Sequence, residues 1–227
     1  MARARSAEFP IQREAIVRSA ARLFAEAGYA GTSMNDIARA CGISKALLYH
    51  YVTDKYRLLF EITDGHVSRL VALVAEIESR QLGPEQHLRS LIGRFVEEYA
   101  QARHDHVVLT QDVKFLMPHD RAAVEDKQRH VVEAFARCIG AARPDWPTDA
   151  ASPARSELDK PLTMLLFGMM NWMFTWLRPD GPLGAREMAP IVADLFLGGL
   201  RAVADPRNAE HRQSTQRSAP QPVGQHP

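Results

Sequence analysis

The segment between Thr32 and Lys55 concentrates side chains whose chemistry suits a phosphate-bearing polymer. Thr32 and Ser33 come directly before a predicted helix, where hydroxyls and the first free backbone N–H groups can hold a phosphate. The other candidates carry cationic or hydrogen-bonding groups that could reach backbone oxygens, and they are Lys45, Tyr49, His50 and Lys55. This set predicts a polyanion partner for the first quarter of the chain.

The distribution of charge agrees with that prediction, although the total does not show it. The 227 residues hold 28 Lys and Arg against 27 Asp and Glu, a formal net charge of +1. Residues 1–60 hold nine basic and five acidic side chains, a net +4, whereas residues 206–227 are +2 and the middle is −5. A basic first quarter on an acidic body indicates two tasks in one chain. Chance also produces imbalances of this size, so charge alone decides little.

The spacing within residues 34–53 is typical of a DNA-binding helix-turn-helix. Ser33 is the predicted N-cap of the first short helix, with Asp36 completing a capping box. Ala38 is small where the two helices cross, and Gly42 supplies the turn. The inward positions that would bury the pair are Ile37, Cys41, Ile43, Leu48 and Tyr51. The outward positions that could reach base edges in a major groove are Ser44, Lys45, Ala46 and Leu47. The alternative is a helical hairpin inside an ordinary all-α protein.

Residues 11–60 hold further motifs at fixed spacing: Ile16, Phe24, Gly28-Tyr29-x-Gly31-Thr32-Ser33, Ile37-Ala38, Gly42-Ile43-Ser44 and Leu48-Tyr49-His50-Tyr51-x-x-x-Lys55. With these motifs the segment resembles the N-terminal domain of TetR/AcrR-family transcriptional regulators. Tyr51 stands where phenylalanine is usual in that family. The resemblance implies a homodimeric repressor that binds double-stranded operator DNA. It also implies a C-terminal domain that binds a small molecule, whose binding changes the spacing of the two reading heads.

Apolar residues recur at helical spacing almost throughout, and no strand pattern is sustained, so an all-α fold is predicted. About nine helices are expected, near 12–27, 33–40, 44–51, 54–79, 84–103, 105–117, 119–141, 157–178 and 185–204. Residues 1–55 are predicted to form a three-helix DNA-binding domain, and residues 56–205 a helical domain for ligand binding and dimerisation. Residues 206–227 are predicted to be a disordered tail because they hold almost nothing apolar.

The helix near 157–178 is dense in methionine and aromatic residues, which suit a bulky apolar ligand. At helical spacing Trp172 and Trp176 share one face, and the opposite face holds Phe167, Asn171, Thr175 and Arg178. Together with Phe115, these six are the candidate ligand-binding residues. The alternative is that the aromatic residues serve core or dimer packing. The broad apolar faces of this helix and of the last one favour a four-helix dimer interface.

The stretch from Gly168 to Leu183, with Asn171-Trp172 and Trp176-x-x-Pro179-x-Gly181, is similar to a TetR-family branch that responds to acyl-coenzyme A thioesters. That branch includes repressors of phenylacetate, steroid-ring and fatty-acid catabolism. The resemblance implies phenylacetyl-CoA or another acyl-CoA as inducer. Cations that could meet the CoA phosphates are Lys114, Arg121, Lys127, Arg137 and Arg178. A regulator of drug efflux remains open, as does an all-α ligand-binding protein or enzyme that does not bind DNA.

Other classes of protein find little support in the sequence. No phosphate-cradling glycine loop, HExxH or Gly-x-Ser-x-Gly occurs, and the nine histidines are scattered, so neither catalysis, a metal nor a cofactor is expected. The uncharged run 161–177 is shorter than the roughly 20 residues of a membrane span. Two distant cysteines and a polar N-terminus without a signal peptide lead us to expect a cytoplasmic protein without a membrane partner.

Overall fold

The computed structural model describes residues 2–143, 158–178 and 181–203, with side chains from residue 9 onward. Within those ranges it contains nine α-helices and no strand, which confirms the all-α prediction. The first five are α1 (Ala2–Gly31), α2 (Met34–Ala40), α3 (Lys45–Tyr51), α4 (Lys55–Glu78) and α5 (Pro84–Gln101). The rest are α6 (Arg103–Asp112), α7 (Pro118–Ala141), α8 (Asp159–Trp176) and α9 (Ala185–Ala202), with a 3-10 turn at Val113–Phe115 after α6.

A first hydrophobic core holds the helix-turn-helix together. Ile16 and Phe24 of α1 are buried against Ile37 and Leu48, which are completely enclosed. Cys41, Ile43 and Tyr51, also predicted to face inward, are partly buried against this core. The core continues beyond residue 55 through the first half of α4 and through α6, where Val108 is buried. The core of the helix-turn-helix is therefore continuous with helices beyond residue 55, through the contacts of α1 with α4 and α6.

A second core occupies the rest of the molecule, with α5 at its centre. Leu91 and Phe95 of α5 are fully buried, and α4, α7, α8 and α9 pack around them. Phe135 of α7 and Phe167 of α8 pack against Phe95 and against each other, with ring centroids 4.8–6.5 Å apart. This arrangement leaves one face of α8 and one face of α9 outside the core.

The first helix begins earlier than its predicted start near Gln12. It extends back to Ala2. Within this extension Phe9 packs on α3: its ring centroid lies 4.7 Å from that of Tyr51 and 5.9 Å from that of His50. The predicted end is confirmed by backbone geometry. Gly28 interrupts the helical backbone with φ 76° and ψ 155°, and one more turn reaches Gly31.

Other predicted boundaries differ in smaller ways. The helix expected near 105–117 ends at Asp112, and Phe115 lies in the 3-10 turn that follows. The predicted tail at 206–227 lies outside the described residues. In the part of the chain that is described, every helix is too short or too polar to cross a bilayer.

Candidate functional site

The first turns of α3 present an exposed face at the end of the molecule. Ser44, Lys45, Ala46, Leu47, Tyr49 and His50 are all exposed, whereas Leu48 between them is fully buried. Leu48 therefore anchors α3 to the first core and turns the other six side chains outward. The structure brings together the reading face that the spacing predicted, and its contact with DNA stays a prediction.

Serine hydroxyls fix the starts of both helices of the helix-turn-helix. The predicted capping box is confirmed: Asp36 N–H donates to Ser33 Oγ at 3.2 Å, and Ser33 N–H donates to the Asp36 carboxylate at 3.0 Å. This pairing, and above all the Ser33 hydroxyl, lowers the pKa of Asp36. Ser44 caps α3 by accepting from Leu47 N–H at 3.1 Å. Both hydroxyls remain at the exposed ends of their helices, where a phosphate could approach.

Thr32 and Lys55, predicted as phosphate contacts, face inward instead. Thr32 is 4% exposed, and its hydroxyl lies 3.0 Å from the carbonyl of Gly28 and 3.2 Å from that of Leu23. Lys55 Nζ donates to the carbonyls of Tyr29 and Thr32 at 2.7 and 2.8 Å, and it lies 4.3 Å from the centre of the Tyr29 ring. The reason is that the turn after α1 leaves carbonyls without helical partners. Lys55 satisfies two of them and so holds the start of α2 against α4.

Two adjacent cavities open between α4, α5, α6, α7 and α8. The first, about 130 Å³, lies between α5, α6 and α8, and its lining includes Arg103 and Arg178. The second, about 180 Å³, lies between α4, α6, α7 and α8, and none of the described residues that line it is charged. Tyr99 and His106 line both cavities. The two cavities are therefore neighbours that share a wall, one with cations in its lining and one without charge.

The predicted ligand residues divide into two groups. Phe167 and Asn171 line the uncharged cavity, and Arg178 lines the cationic one. By contrast, Trp172, Thr175 and Trp176 lie on the outer face of α8, with the two tryptophans 67% and 51% exposed.

Phe115 also lies apart from both cavities. It is 41% exposed, and its ring centroid is 5.4 Å from that of Tyr29 beside the helix-turn-helix. For the residues of α8, helical spacing groups side chains by face, but it does not say which face turns inward.

Several lining residues were missed by the sequence analysis. Met170, Met173 and Phe174 belong to the same methionine- and aromatic-rich run, so that run held a usable signal. Tyr99 and His106 had none, because they come from α5 and α6 and meet α8 only in the folded chain. Tyr99 stacks on His106 with ring centroids 3.8 Å apart, and burial raises the pKa of Tyr99.

Polar groups inside the site are few, and two lack partners. His106 Nε2 and Asn171 Oδ1 are buried without a hydrogen-bond partner among the described residues. Buried polar atoms are nearly always paired, so these two mark places where a ligand group can bind. Arg103, at the other end, donates to the Phe174 carbonyl at 2.8 Å. Across the described ranges, no cluster of three or more His, Cys, Asp or Glu side chains could hold a metal ion.

One helix joins the cavities to the helix-turn-helix. His106 lies near the start of α6, and Asp112 lies at its end. The carboxylate of Asp112 is buried and accepts from Tyr29 N–H at 3.1 Å. Tyr29 is the residue whose carbonyl Lys55 holds. Helix α6 therefore links the lining of the cavities to the turn before α2 through one hydrogen bond.

A large apolar surface lies on the outer faces of α8 and α9. Leu165 and Trp172 of α8 are 65% and 67% exposed, and Leu195 of α9 is 64% exposed. Gly198 and Gly199 lie beside Leu195 on α9 and are also exposed. Contiguous apolar surface of this kind marks an interaction site in a folded protein.

Comparison with protein families gives two matches along the chain. The model described as "Bacterial regulatory proteins, tetR family" matches residues 16–62. The model described as "Tetracyclin repressor-like, C-terminal domain" matches residues 81–200. The first match covers the helix-turn-helix, and the second covers the helices from α5 to α9 that line the cavities.

Individual proteins give the same picture. The HTH-type transcriptional repressor KstR2 of Mycobacterium tuberculosis is 26% identical over 194 residues, which are 83% of this chain and 92% of that protein. The crystal structure of a TetR-family transcriptional regulator from Bordetella parapertussis is 34% identical, with a TM-score of 0.75, and covers 85% of this chain and 97% of its own. The structure of AibR in complex with isovaleryl coenzyme A and operator DNA, at 24% identity and a TM-score of 0.67, covers 81% and 97% and shares the fold.

Proposed function

Because this chain belongs to the TetR family of bacterial transcriptional regulators, we propose that it is a cytoplasmic repressor whose effector is an acyl-CoA thioester. Phenylacetyl-CoA is the favoured effector. The genes under its control then serve aromatic or lipid catabolism. In this proposal α3 binds operator DNA in the absence of the thioester, and filling the cavities lowers the affinity for the operator.

The proposal rests on the difference in charge between the linings of the two neighbouring cavities. The uncharged cavity suits an acyl group, and the cationic cavity with Arg103 and Arg178 suits the phosphate-bearing end of coenzyme A. Tyr99 and His106 stand at the junction, where the thioester would lie. Each cavity is smaller than the ~300–1,000 Å³ typical for a drug-sized ligand, which favours a short or single-ring acyl group over a polycyclic one.

Fewer cations remain as candidates for binding the coenzyme A phosphates. Lys127 donates to Asp64 and Ser68, and Arg137 pairs with Glu78, so both are engaged within the protein. Arg178 is exposed at the rim of the cationic cavity. We therefore assign the coenzyme A phosphates to the side of the site where Arg178 lies.

The comparisons lend support from two directions. A repressor, KstR2, is similar over most of this chain. AibR shows that the same fold holds an acyl-CoA and operator DNA. Neither protein identifies the acyl group bound by this one, so our preference for phenylacetyl-CoA rests on cavity size and on the resemblance of Gly168–Leu183.

The repressor acts as a homodimer in this proposal. The exposed apolar faces of α8 and α9 pair with the same faces of a second copy and form a four-helix interface. Two α3 helices then enter successive major grooves of a pseudo-palindromic operator. Binding of the thioester favours a state in which α6, through Asp112 and Tyr29, moves the two helices out of that spacing.

DNA binding is tested by titrating the purified protein into labelled DNA from immediately upstream of its own gene, at 0.15 M salt. The expected result is affinity at least a thousandfold above that for a scrambled sequence of equal length, the usual lower bound for specific recognition. Equal affinity for the upstream DNA and the scrambled sequence would mean that the protein does not recognise an operator there, which would contradict the proposed repressor.

The effector is tested by calorimetry with a panel of acyl-CoAs, the matching free acids, and hydrophobic drugs. We expect phenylacetyl-CoA or a similarly small thioester to bind tightest, and its free acid to bind more weakly because it lacks the phosphates that meet Arg178. A drug preferred over every thioester would instead make this chain a regulator of drug efflux.

A further inference from the structure

His106 lines both cavities, and one nitrogen of its ring is buried without a hydrogen-bond partner among the described residues. The residue is 2% exposed, and the nitrogen is Nε2. Its other nitrogen, Nδ1, lies 3.2 Å from Nε2 of His66, which is completely buried on α4. The two rings therefore share one hydrogen bond, and one of them must donate while the other accepts.

Arg69 determines which ring donates. Its Nη2 lies 3.3 Å from Nδ1 of His66, and a guanidinium can only donate, so His66 Nδ1 accepts. The proton of neutral His66 is then on Nε2 and points at His106 Nδ1, which accepts in turn. By the same exclusion the proton of neutral His106 is on Nε2. The unpartnered nitrogen of this cavity-lining residue, Nε2 of His106, is consequently an N–H donor.

Two carboxylates hold Arg69 in this position. Arg69 Nε donates to Glu98 at 2.9 Å, and Nη2 donates to Asp105 at 2.5 Å. Glu98 itself lies 3.8 Å from His66 Nδ1, which is beyond hydrogen-bonding distance. Arg69 is thus fixed from α5 and α6 at once, and it orients His66 without displacement by either acid.

Both histidines are neutral at physiological pH. Burial lowers the pKa of His66 to about 3, helped by the neighbouring His106 and Arg69, and burial lowers the pKa of His106 to about 4. A neutral donor stabilises a neutral acceptor such as a carbonyl oxygen. It does not compensate the cost of moving a carboxylate into an uncharged cavity.

We propose that His106 is the specificity-determining hydrogen-bond donor of the effector site, with its Nε2–H bound to the carbonyl oxygen of the acyl thioester. His66 and Arg69 are positioning residues that keep this proton on Nε2. The inference deepens the proposed function and rests on it, since it requires an acyl-CoA across the two cavities. It adds that the site recognises the thioester carbonyl itself, at the junction where the acyl group meets coenzyme A.

The direct test compares two ligands on the unaltered protein. Phenylacetyl-CoA and its thioether analogue S-phenethyl-CoA differ only in that a methylene replaces the carbonyl. By calorimetry at pH 7.5 we expect the thioester to bind about tenfold tighter, the value of one buried hydrogen bond. Equal affinity for the two overturns the inference but leaves acyl-CoA recognition intact. Failure of both to bind overturns the proposed effector, and the inference with it.

Variants assign the preference to one residue. In His106→Leu the two ligands should bind equally, within about twofold, because the donor is gone. Thr63→Val is the matched control, since it removes a buried hydroxyl that donates only within its own helix, outside both cavities. The thioester preference should persist there. Loss of the preference in Asn171→Leu with its retention in His106→Leu would make Asn171 the donor and overturn the inference.

The proton position can be measured without any ligand, which also covers a variant that does not fold. Long-range ¹H–¹⁵N spectra of the imidazole rings in the free protein report the tautomer of each histidine. We expect His66 and His106 both as neutral rings protonated on Nε2 at pH 7. A His106 ring protonated on Nδ1, or on both nitrogens, contradicts the relay from Arg69.

Discussion

Lys45 is the predicted phosphate contact on α3. It is exposed on the reading face of α3, next to the cap residue Ser44. Lys45→Ala should weaken operator binding and lower the slope of log affinity against log salt by about one, because one phosphate contact releases about one counterion. Arg80→Ala is the control, since it removes a positive charge beyond the far end of α4, roughly 36 Å from Lys55. An unchanged slope in Lys45→Ala would remove its phosphate contact.

Lys55 should behave in the opposite way, although it too was predicted to meet phosphate. Its ammonium group holds the carbonyls of Tyr29 and Thr32. Lys55→Met keeps most of the side-chain length but loses both bonds, and it should lower the free energy of unfolding by about 1.5–3 kcal/mol. Urea denaturation measures that loss, and the salt slope of DNA binding should stay as it was. A reduced slope with unaltered stability would show that Lys55 contacts DNA after all.

The buried histidine pair should make stability depend on pH. Unfolded histidine takes up a proton near pH 6.5, whereas burial lowers the pKa of His66 to about 3 and that of His106 to about 4. Between those values the unfolded chain binds more protons, so stability is full above pH 6.5 and falls as pH drops toward 4. The charged groups that face the pair are Arg69, Glu98 and Asp105, and Arg69 is hydrogen-bonded to both carboxylates.

The prediction is measured by urea denaturation at pH 6 and pH 5. His66→Gln should lose less stability across that interval than the parent protein, by about 1 kcal/mol, the contribution of one titrating histidine. Equal losses in the two proteins would mean that His66 takes up a proton in the folded state much as it does in the unfolded chain, which would contradict the lowered pKa.

At the scale of the helices, Gly28 marks the end of the regular part of α1. Its φ of 76° with ψ of 155° lies in a region that is essentially restricted to glycine. A Cβ at this position would meet nothing within 4 Å, so any penalty comes from the backbone alone. Gly28→Ala and Gly28→Asn should both lower the free energy of unfolding by about 1–3 kcal/mol. Gly31→Ala, three residues later and without a positive φ, should cost nothing. Rescue by asparagine would indicate an ordinary left-handed turn.

Sequence alone was most informative where structure is local. The cap at Ser33, the break at Gly28 and the inward Leu48 follow from residues within a few positions of one another, and all are confirmed. Phe9 shows the limit of such prediction. Its packing partner Tyr51 lies 42 positions later, so nothing in the segment around Phe9 predicts their contact.

The same limit explains the ligand site. Periodicity placed Phe167 and Asn171 opposite the two tryptophans, as the structure does, but it grouped Thr175 with the first pair, whereas Thr175 is exposed on the outer face. Assigning the inner face requires knowing which helices pack on it. Phe167 and Asn171 line a cavity, whereas Trp172 and Trp176 are exposed, even though all four lie in the same methionine- and aromatic-rich stretch of α8. His106 could not be found at all, since its role depends on α4, α5 and α8 converging around it.

At the scale of the whole molecule, the outer faces of α8 and α9 carry several large apolar side chains that are exposed in the described part of the chain. Leu195→Glu places a charge at the centre of the proposed interface, where it would be buried without a counter-ion. We expect this variant to sediment as a monomer while the parent sediments as a dimer. Met117→Glu, at a position 62% exposed and away from these faces, is the matched control and should remain dimeric. A dimeric Leu195→Glu would place the interface elsewhere.

The central claim is that the cavities and the reading face are coupled. The most direct test is the affinity for the upstream DNA, measured by fluorescence anisotropy at 0.15 M salt with and without phenylacetyl-CoA at a concentration that calorimetry shows to be saturating. We predict that the thioester raises the dissociation constant by at least about fivefold, within the usual range of coupling between two sites, and that coenzyme A alone does not. An unchanged dissociation constant with the site filled would contradict the account.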